Sequence, residues 1–598
     1  MALAVAALTA AGTVVVFTWQ RLFLGMDLQD ESFYVLVPWR WALGDKPFVH
    51  EENLAQIPGL LEYPFIKLFA LVRGYEATGL VLYTRHLYLL LMIGVAAAVF
   101  LIVRRLVRWP LGLLIAAVFV GFIFWNTPQL SYNTMGAAFL TLGSALGLWV
   151  VIEGGGRRWA FASGAAFGLA VVAYPTLLFI MPFYAVFMAF ALGRRATGML
   201  AELAFKEPPD PDGSPTGHGA RRALISWVLG GLAVLVPVGV VILSFGIRNV
   251  ERCWSYTMAV ARQADQLGGA AKAYAVAQGF WRFFWSRPYM VVAACLILLV
   301  YRRWPRLGRA LLMLLPVALW FGGQRDLLEG TGFVLVYGFI APYLFLFVPK
   351  EKREAGAKLL LWVWAPAMIA GAMTAFTSAS GYVNAPVGLV PALIASGVFL
   401  AWSLEAVVEP SPSSPAGPLS PRQPWLALGV LVAVAAVTVT FQFQFQQRAV
   451  PLSELTRRFD FGPWWGIVVT PQRYELLSEF DADLRAQSRR DDQLLVYYQA
   501  CGYYLLWRGG IAANSYWLSN ADVLAPLSQP TVAYFRRHHL VPTLVVHLVV
   551  TTSMTDAELQ AASGGLDYPP TLVRPMYAFQ RKPANESTAQ VLARLPRQ

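Results

Sequence analysis

Runs of apolar residues long enough to cross the roughly 30 Å hydrocarbon core of a bilayer recur along most of the chain. They fall near 3–24, 86–103, 110–125, 134–152, 159–173, 177–193, 223–245, 289–301, 308–322, 331–348, 358–376, 386–407 and 424–442. This pattern predicts a polytopic α-helical membrane protein with about thirteen transmembrane helices. Most of the polar segments between the runs are short. Two are long, at 25–85 and 246–288, and loops of that length are usually functional. After residue 446 the pattern changes. "DQLLVYY" (492–498) and "TLVVHLVV" (543–550) are short apolar runs rich in β-branched residues that predict buried strands, and "ELLSEFDADLRAQS" (475–488) predicts an amphipathic helix. The expected organisation is a transmembrane domain over 1–445, with a long first outer loop at 25–85, followed by a small α/β domain over 446–598.

Composition agrees with the pattern. The 598 residues are 57% hydrophobic and 14% charged, with mean hydropathy +0.53, against about 25% charged residues in soluble chains. The net charge of +13 is loop bias in such a chain rather than nucleic-acid affinity. One set of loops carries Arg104, Arg105 and Arg108, then Arg157 and Arg158, Arg194 and Arg195, Arg221 and Arg222, Arg302, Arg303, Arg306 and Arg309, and finally Lys350, Lys352, Arg353 and Lys358. It alternates with the uncharged turns "NTPQLSYN" (126–133), "YPT" (174–176) and "TSASGYVN" (377–384). The positive-inside rule makes the basic set cytoplasmic, so the N-terminus is expected inside, and the 25–85 loop and the C-terminal domain outside. The first apolar run lacks a basic start and a small-residue cleavage site, so it reads as a retained span. "KEPPDPDGSPTGHG" (206–219) and "EPSPSSPAGPLSPRQP" (409–424) read as linkers. The three cysteines, Cys253, Cys295 and Cys501, form neither a disulfide framework nor a zinc pattern.

The first loop opens on "DLQDESFY" (27–34), which sets Asp27, Asp30 and Glu31 just past the first span. On a helix, Asp27 and Asp30 would share a face. "YVLVPWRWALG" (34–44) and "GLLEYPFIKLF" (59–69) follow as apolar, aromatic pieces suited to lying in the membrane interface, with Glu62 heading the second. Acids in an outer loop are often only solvated charges. Clustered beside interfacial helices, they suit a reaction on a lipid-linked substrate, in which one carboxylate activates an acceptor group and others hold a divalent cation on a donor phosphate.

"DESFY", followed about thirty residues later by "EYP", resembles the GT-C class of integral-membrane glycosyltransferases, in the branch of aminoarabinose transferases and protein O-mannosyltransferases. The resemblance implies about thirteen spans, two interfacial helices in the first outer loop, a soluble extracytoplasmic C-terminal domain and inverting transfer of a sugar from a polyprenyl phosphate. It makes Asp30 the acid/base that activates the acceptor, supported by Glu31 and Tyr34, and Glu62 a residue of the metal or donor-phosphate region. A divalent cation (Mg, Mn or Zn) is the implied cofactor. Two departures stand out. Ser32 and Phe33 occupy positions where that branch often has a basic residue, and Tyr63 stands where it has a lysine. Asp27 is an additional acid and an alternative base.

A lipid phosphate needs cations near the outer surface. Arg85, His86, Arg248, Arg252, Arg282, Arg287 and Arg325 are the candidates, since arginine suits bidentate phosphate contacts. Headgroup contact explains any one of them equally well. Asn133, Tyr382 and Asn384 lie in turns rich in small hydrogen-bonding residues and are candidate sugar contacts, although helix capping accounts for such residues too. His547 alternates with valines and reads as a satisfied core residue. The expected activity is therefore transfer of a sugar from a polyprenyl phosphate to a cell-envelope glycan, lipid or protein at the outer face of the bacterial inner membrane. The alternatives are a transporter or flippase, which would show internal repeats and mid-membrane charges, or a polymerase or ligase of lipid-linked saccharide.

Overall fold

The computed structural model describes residues 2–124, 127–153, 156–192, 217–265, 269–286, 288–305, 307–309, 311–312, 331–378, 380–408, 450, 452–497, 500–517, 529–548 and 566–595. Arg287, Arg325, the linker at 409–424 and the predicted span at 424–442 lie outside the described residues, as do most of the linker at 206–219 and of the span at 308–322. Contacts divide the chain into two units. The first comprises Met1–Arg21, Leu87–Val238 and Leu267–Ala449; the second comprises Leu22–His86, Gly239–Gln266 and Val450–Gln598.

Helices long and apolar enough to cross a membrane are Leu3–Arg21, Leu80–Val103, Tyr132–Ile152, Pro175–Leu192, Gly219–Ser244 and Lys350–Thr377. Among the described residues these six rise to eight if each of two bent helix pairs counts as one span; in one, Gly381–Leu389 and Ala392–Ala406 meet at 63°. The chain is an integral membrane protein. The predicted run at 110–125 is a helix of 13 residues, Trp109–Gly121, ending where the backbone turns extended at Phe122. The run at 331–348 is broken into Thr331–Phe339 and Ala341–Phe345, with Pro342 in the first turn of the second piece; proline cannot donate the hydrogen bond that would continue the first.

In the first unit the uncharged turns come together. The Asn384 amide donates to the Tyr174 hydroxyl at 3.0 Å, the Tyr132 ring lies 5.1 Å from that of Tyr174, and the hydroxyls of Thr176 and Thr377 are 3.2 Å apart. A Cβ on Gly136 would stand 3.0 Å from Tyr174, so the turn packs closely. The basic loops also meet one another. Glu405 accepts from the Arg108 backbone N–H at 2.9 Å and pairs with Lys352 at 2.9 Å. Arg105 lies over the Trp149 ring, which packs on Trp159 at 5.4 Å.

The second unit holds the first long loop and the C-terminal α/β part. Helix α2 (Asp30–Leu43) begins with two acids, which suit a helix N-terminus, and stops at Gly44, whose φ of 113° closes the helix C-terminus. Helix α3 (Gly59–Val72) packs on α2: a Cβ on Gly59 would sit 3.0 Å from Trp41 and 3.2 Å from Val37. The buried positions of α3 are Gly59, Glu62, Ile66 and Ala70. Its outward positions are apolar, with Phe65, Leu68, Leu71 and Val72 exposed, the pattern of a helix lying in lipid.

The C-terminal part is built as predicted from strands and amphipathic helices. A five-stranded sheet has the order β4–β3–β5–β7–β6, where β3 is Gln493–Tyr497, β4 Gly510–Ile511, β5 Leu544–His547, β6 Pro570–Val573 and β7 Ala578–Arg581. Strand β3 is parallel to both β4 and β5, whereas β7 is antiparallel to β5 and β6. The predicted helix spans Pro471–Gln487, capped by the Thr470 hydroxyl. His547 is a satisfied core residue, 2.8 Å from Gln580 and stacked on Tyr497, and burial pushes its pKa down to about 4. A two-residue strand, β2 (Val468–Val469), binds the start of the first loop. The Gly25 N–H donates to the Val468 carbonyl at 2.8 Å, and the Val468 N–H donates to the Phe23 carbonyl at 2.7 Å.

Candidate functional site

The three acids of the first loop have three different environments. Asp27 precedes α2 rather than sharing a helical face with Asp30. Its carboxylate accepts from the N–H groups of Gln29 at 3.0 Å and Glu31 at 3.3 Å. The Glu31 carboxylate in turn accepts from the Asp27 N–H at 3.1 Å, and the Ser32 hydroxyl donates to the Asp27 carbonyl at 2.6 Å. Asp27 thus lies two residues before the N-cap, Gln29, and takes up N–H groups at the start of α2. Glu31 is fully buried and pairs with Arg85 through two contacts, 2.6 Å to Nε and 2.8 Å to Nη2. Arg85 also donates to the carbonyls of Leu22 (2.5 Å), Leu24 (3.5 Å) and Gly25 (2.8 Å).

The carboxylate of Asp30 makes no hydrogen bond or ion pair among the described residues. Burial first, and then the neighbouring Asp27 charge, push its pKa up to about 7. Asp27 is raised too, by burial and by Glu31, against the lowering effect of its backbone hydrogen bonds. The turn after β3, Cys501–Leu506, lies against this loop. The Cys501 thiol is 3.1 Å from the Gln29 carbonyl, and the Gly502 N–H donates to the Leu28 carbonyl at 2.8 Å. Asp30 is thus left without a hydrogen-bond partner and with a pKa near neutral, at the head of a helix whose partner, α3, shows lipid an apolar face.

A second group of acids in the same unit has no counterpart in the sequence reading. Glu51 is buried, accepts from the N–H groups of Asn53 (2.7 Å) and Tyr516 (2.6 Å), and burial pushes it up to about 8 against those bonds. Glu52 pairs with Arg537 and feels the charge of Arg252. Asp45 holds Arg40 at 2.8 and 3.1 Å and accepts from the Tyr516 hydroxyl at 2.6 Å. "HEEN" (50–53) marks two of these acids in the sequence, but the partners Tyr516 and Arg537 lie more than 400 residues away and carry no local signal.

The remaining predicted residues are placed as follows. Glu62 is buried and both its oxygens lack a hydrogen-bond partner, so burial raises its pKa well above the usual carboxylate value. His86 holds Nδ1 2.7 Å from the Leu82 carbonyl, which assigns the proton to that nitrogen. Arg252, partly buried, is hydrogen-bonded to Asn249, and Arg248 is exposed. Tyr34 is buried in α2. In the first unit Asn133 and Asn384 are buried, the former with its carbonyl oxygen unpartnered, while the Tyr382 ring packs 6.0 Å from Phe280 and Arg282 is exposed. Among the described residues, Cys253 and Cys501 are buried free thiols and Cys295 an exposed one.

No protein-family profile matches the chain, and no curated protein matches it. Solved structures similar to it include the Archaeoglobus fulgidus oligosaccharyltransferase tethered to an acceptor peptide (12% identity, 93% of this chain and 69% of that one covered, TM-score 0.43). The archaeal oligosaccharyltransferase AglB of the same organism, in complex with an inhibitory peptide and a dolichol-phosphate, is similar at 12% identity over 97% of this chain and 75% of that one, TM-score 0.44. The Archaeoglobus enzyme in complex with Zn and sulfate is similar at 11% identity over 92% and 69%, TM-score 0.42. Likeness at this level leaves the function to be argued from the site.

A divalent cation requires several converging ligands. Among the described residues no group of three or more His, Cys, Asp or Glu side chains could hold one. Asp27 and Glu31 spend their oxygens on backbone N–H groups and Arg85. Glu62 is buried with neither oxygen hydrogen-bonded among the described residues, and burial raises its pKa, which disfavours the ionised form a metal binds. These side chains do not fit the expected cation.

Proposed function

We propose that the protein is a GT-C type glycosyltransferase that moves a sugar from a polyprenyl-phosphate donor to a cell-envelope glycan, lipid or protein, with Asp30 as the base. The observation that carries the reading is the contrast within one loop. Asp27 and Glu31 are consumed by capping and by Arg85, while the carboxylate of Asp30 is left without a partner and tuned to about 7. A general base works best when its pKa lies near the operating pH. In the step so derived, ionised Asp30 takes the proton of the acceptor nucleophile as the latter attacks the anomeric carbon. The bond from that carbon to the phosphate oxygen breaks on the opposite side, polyprenyl phosphate leaves with the electron pair, and the anomeric centre inverts. The α3 face suits a donor held at the lipid surface.

Cationic help for the leaving phosphate is assigned to His86, Arg248 and Arg252 of the second unit; Arg85 acts through Glu31 instead. Tyr34, in the same unit as Asp30, is proposed to shape the sugar and acceptor region. The site faces outward in a bacterial inner membrane, with the N-terminus in the cytoplasm and the C-terminal part outside.

The test supplies purified full-length protein, in lipid nanodiscs, with a panel of radiolabelled polyprenyl-phosphate sugars and envelope extract as acceptor. Release of unlabelled polyprenyl phosphate with label moving to the acceptor is expected. Movement of intact donor across proteoliposomes, with its sugar still attached, would make the protein a flippase and overturn the reading.

A further inference from the structure

The two backbone carbonyls just ahead of Asp30 are both taken by the C-terminal part of the chain. The Gly502 N–H donates to the Leu28 carbonyl at 2.8 Å, and the Cys501 thiol approaches the Gln29 carbonyl at 3.1 Å and the Leu28 carbonyl at 3.8 Å. The approach leaves no room for a side chain at Gly502. A Cβ there would stand 2.6 Å from Leu28 Cδ2, 2.8 Å from the Ser32 hydroxyl and 3.1 Å from Leu28 Cα. The Ser32 hydroxyl is itself bonded to the Asp27 carbonyl, so one added methyl would press on both ends of the loop at once. On its other side the loop is fixed by Glu31 and Arg85 and by the pairing of Gly25 with Val468.

We infer that Gly502 and Cys501 are positioning residues for the proposed base: the turn after β3 clamps residues 27–30 and so holds the Asp30 carboxylate close to Asp27 and without a partner. The inference rests on the assignment of Asp30 made above. It gives the C-terminal part a place in the chemistry beyond any contact with acceptor. The charged and titratable groups around Asp30 are Asp27 from the same loop, the Glu31–Arg85 pair beneath it, the Cys501 thiol from the turn, and Glu51 beyond that thiol. Loosening the clamp admits more water and lets the two aspartates part. Both effects lower the titration midpoint of Asp30 toward the ordinary carboxylate value.

The test follows the infrared carbonyl band of protonated carboxylic acid against pH in the full-length protein, alongside steady-state transfer. Wild type shows one component of that band titrating at about 7, which Asp30→Asn removes while the component of Glu51 at about 8 stays. Gly502→Ala moves the midpoint down and lowers kcat by up to about 10²-fold, with KM within about threefold. Gly94→Ala, at a glycine with open space around its Cβ position, serves as the folded control. A folded Gly502→Ala with wild-type midpoint and kcat overturns the inference. If Gly502→Ala does not fold, the cysteine pair decides. Cys501→Ser keeps a donor and the wild-type midpoint, whereas Cys501→Ala loses both; identical behaviour of the two overturns the clamp. A component at about 7 that survives Asp30→Asn contradicts the base itself, a failure distinct from that of the clamp.

Discussion

Asp27 and Asp30 are chemically identical, and only their hydrogen bonds tell them apart. Removing the Asp27 carboxylate leaves N–H groups at the start of α2 without their acceptor, so Asp27→Ala is expected to destabilise the protein by about 0.5–2 kcal/mol. Differential scanning calorimetry in detergent reads that loss. Asp30 gives a pH signature. Its folded pKa lies above its unfolded one, so the folded state binds the extra proton between those values, and stability declines as pH rises through that window. Activity moves the other way, because a base must be ionised: kcat/KM should climb as pH rises toward about 7 and level off above it. Asp30→Asn removes the stability cost, so its melting advantage over wild type should grow between about pH 4 and about pH 7 and level off above it. A melting difference that does not change with pH would show that Asp30 titrates normally. Glu62, whose pKa burial raises, should accept glutamine with little change in melting temperature; a metal requirement lost with Glu62→Gln would restore the cation that its environment argues against.

At the scale of elements, the loop is fixed by groups whose partners are distant in sequence. Arg85→Met would leave Glu31 buried without its cation, together with carbonyls that lose their donors, and is expected to cost about 3–5 kcal/mol. Glu31→Leu with Arg85→Met should recover much of that loss, a double-mutant cycle read by thermal melting. These dependencies explain what the sequence could reveal. Helix α3 was legible because its apolar positions and Glu62 repeat with helical spacing. Strands β3 and β5 were legible because buried strands of a parallel pair read as short runs of valine and leucine. The start of α2 was read four residues late, since Asp30 and Glu31 resemble loop acids until their place in a first turn is seen. Arg85 was read as a phosphate ligand because an arginine at the head of a span gives no sign of a carboxylate 54 residues earlier. Glu51, Glu52 and Gly502 depend on contacts between chain ends that no local pattern encodes.

For the whole molecule, the meeting of the uncharged turns at Tyr174 and of the basic loops at Glu405 gives the first unit two chemically distinct polar groupings, as the positive-inside rule requires of loops on opposite sides. The proposed orientation then has a simple check. In a Cys295→Ala background, which removes the exposed thiol, a cysteine at Ser488 should react with an impermeant thiol reagent in intact cells. Labelling only after permeabilisation would turn the site inward. The central claim is that one acid of the first loop does the chemistry and its neighbour holds the loop. It is met most directly by measuring sugar transfer from a polyprenyl-phosphate donor by Asp30→Asn and Asp27→Asn side by side, each checked for a folded melting profile. The account predicts that Asp30→Asn loses about 10²–10⁴-fold in kcat while Asp27→Asn retains most of its turnover. A dead Asp27→Asn beside a working Asp30→Asn would exchange their roles, and full activity in both would contradict the account.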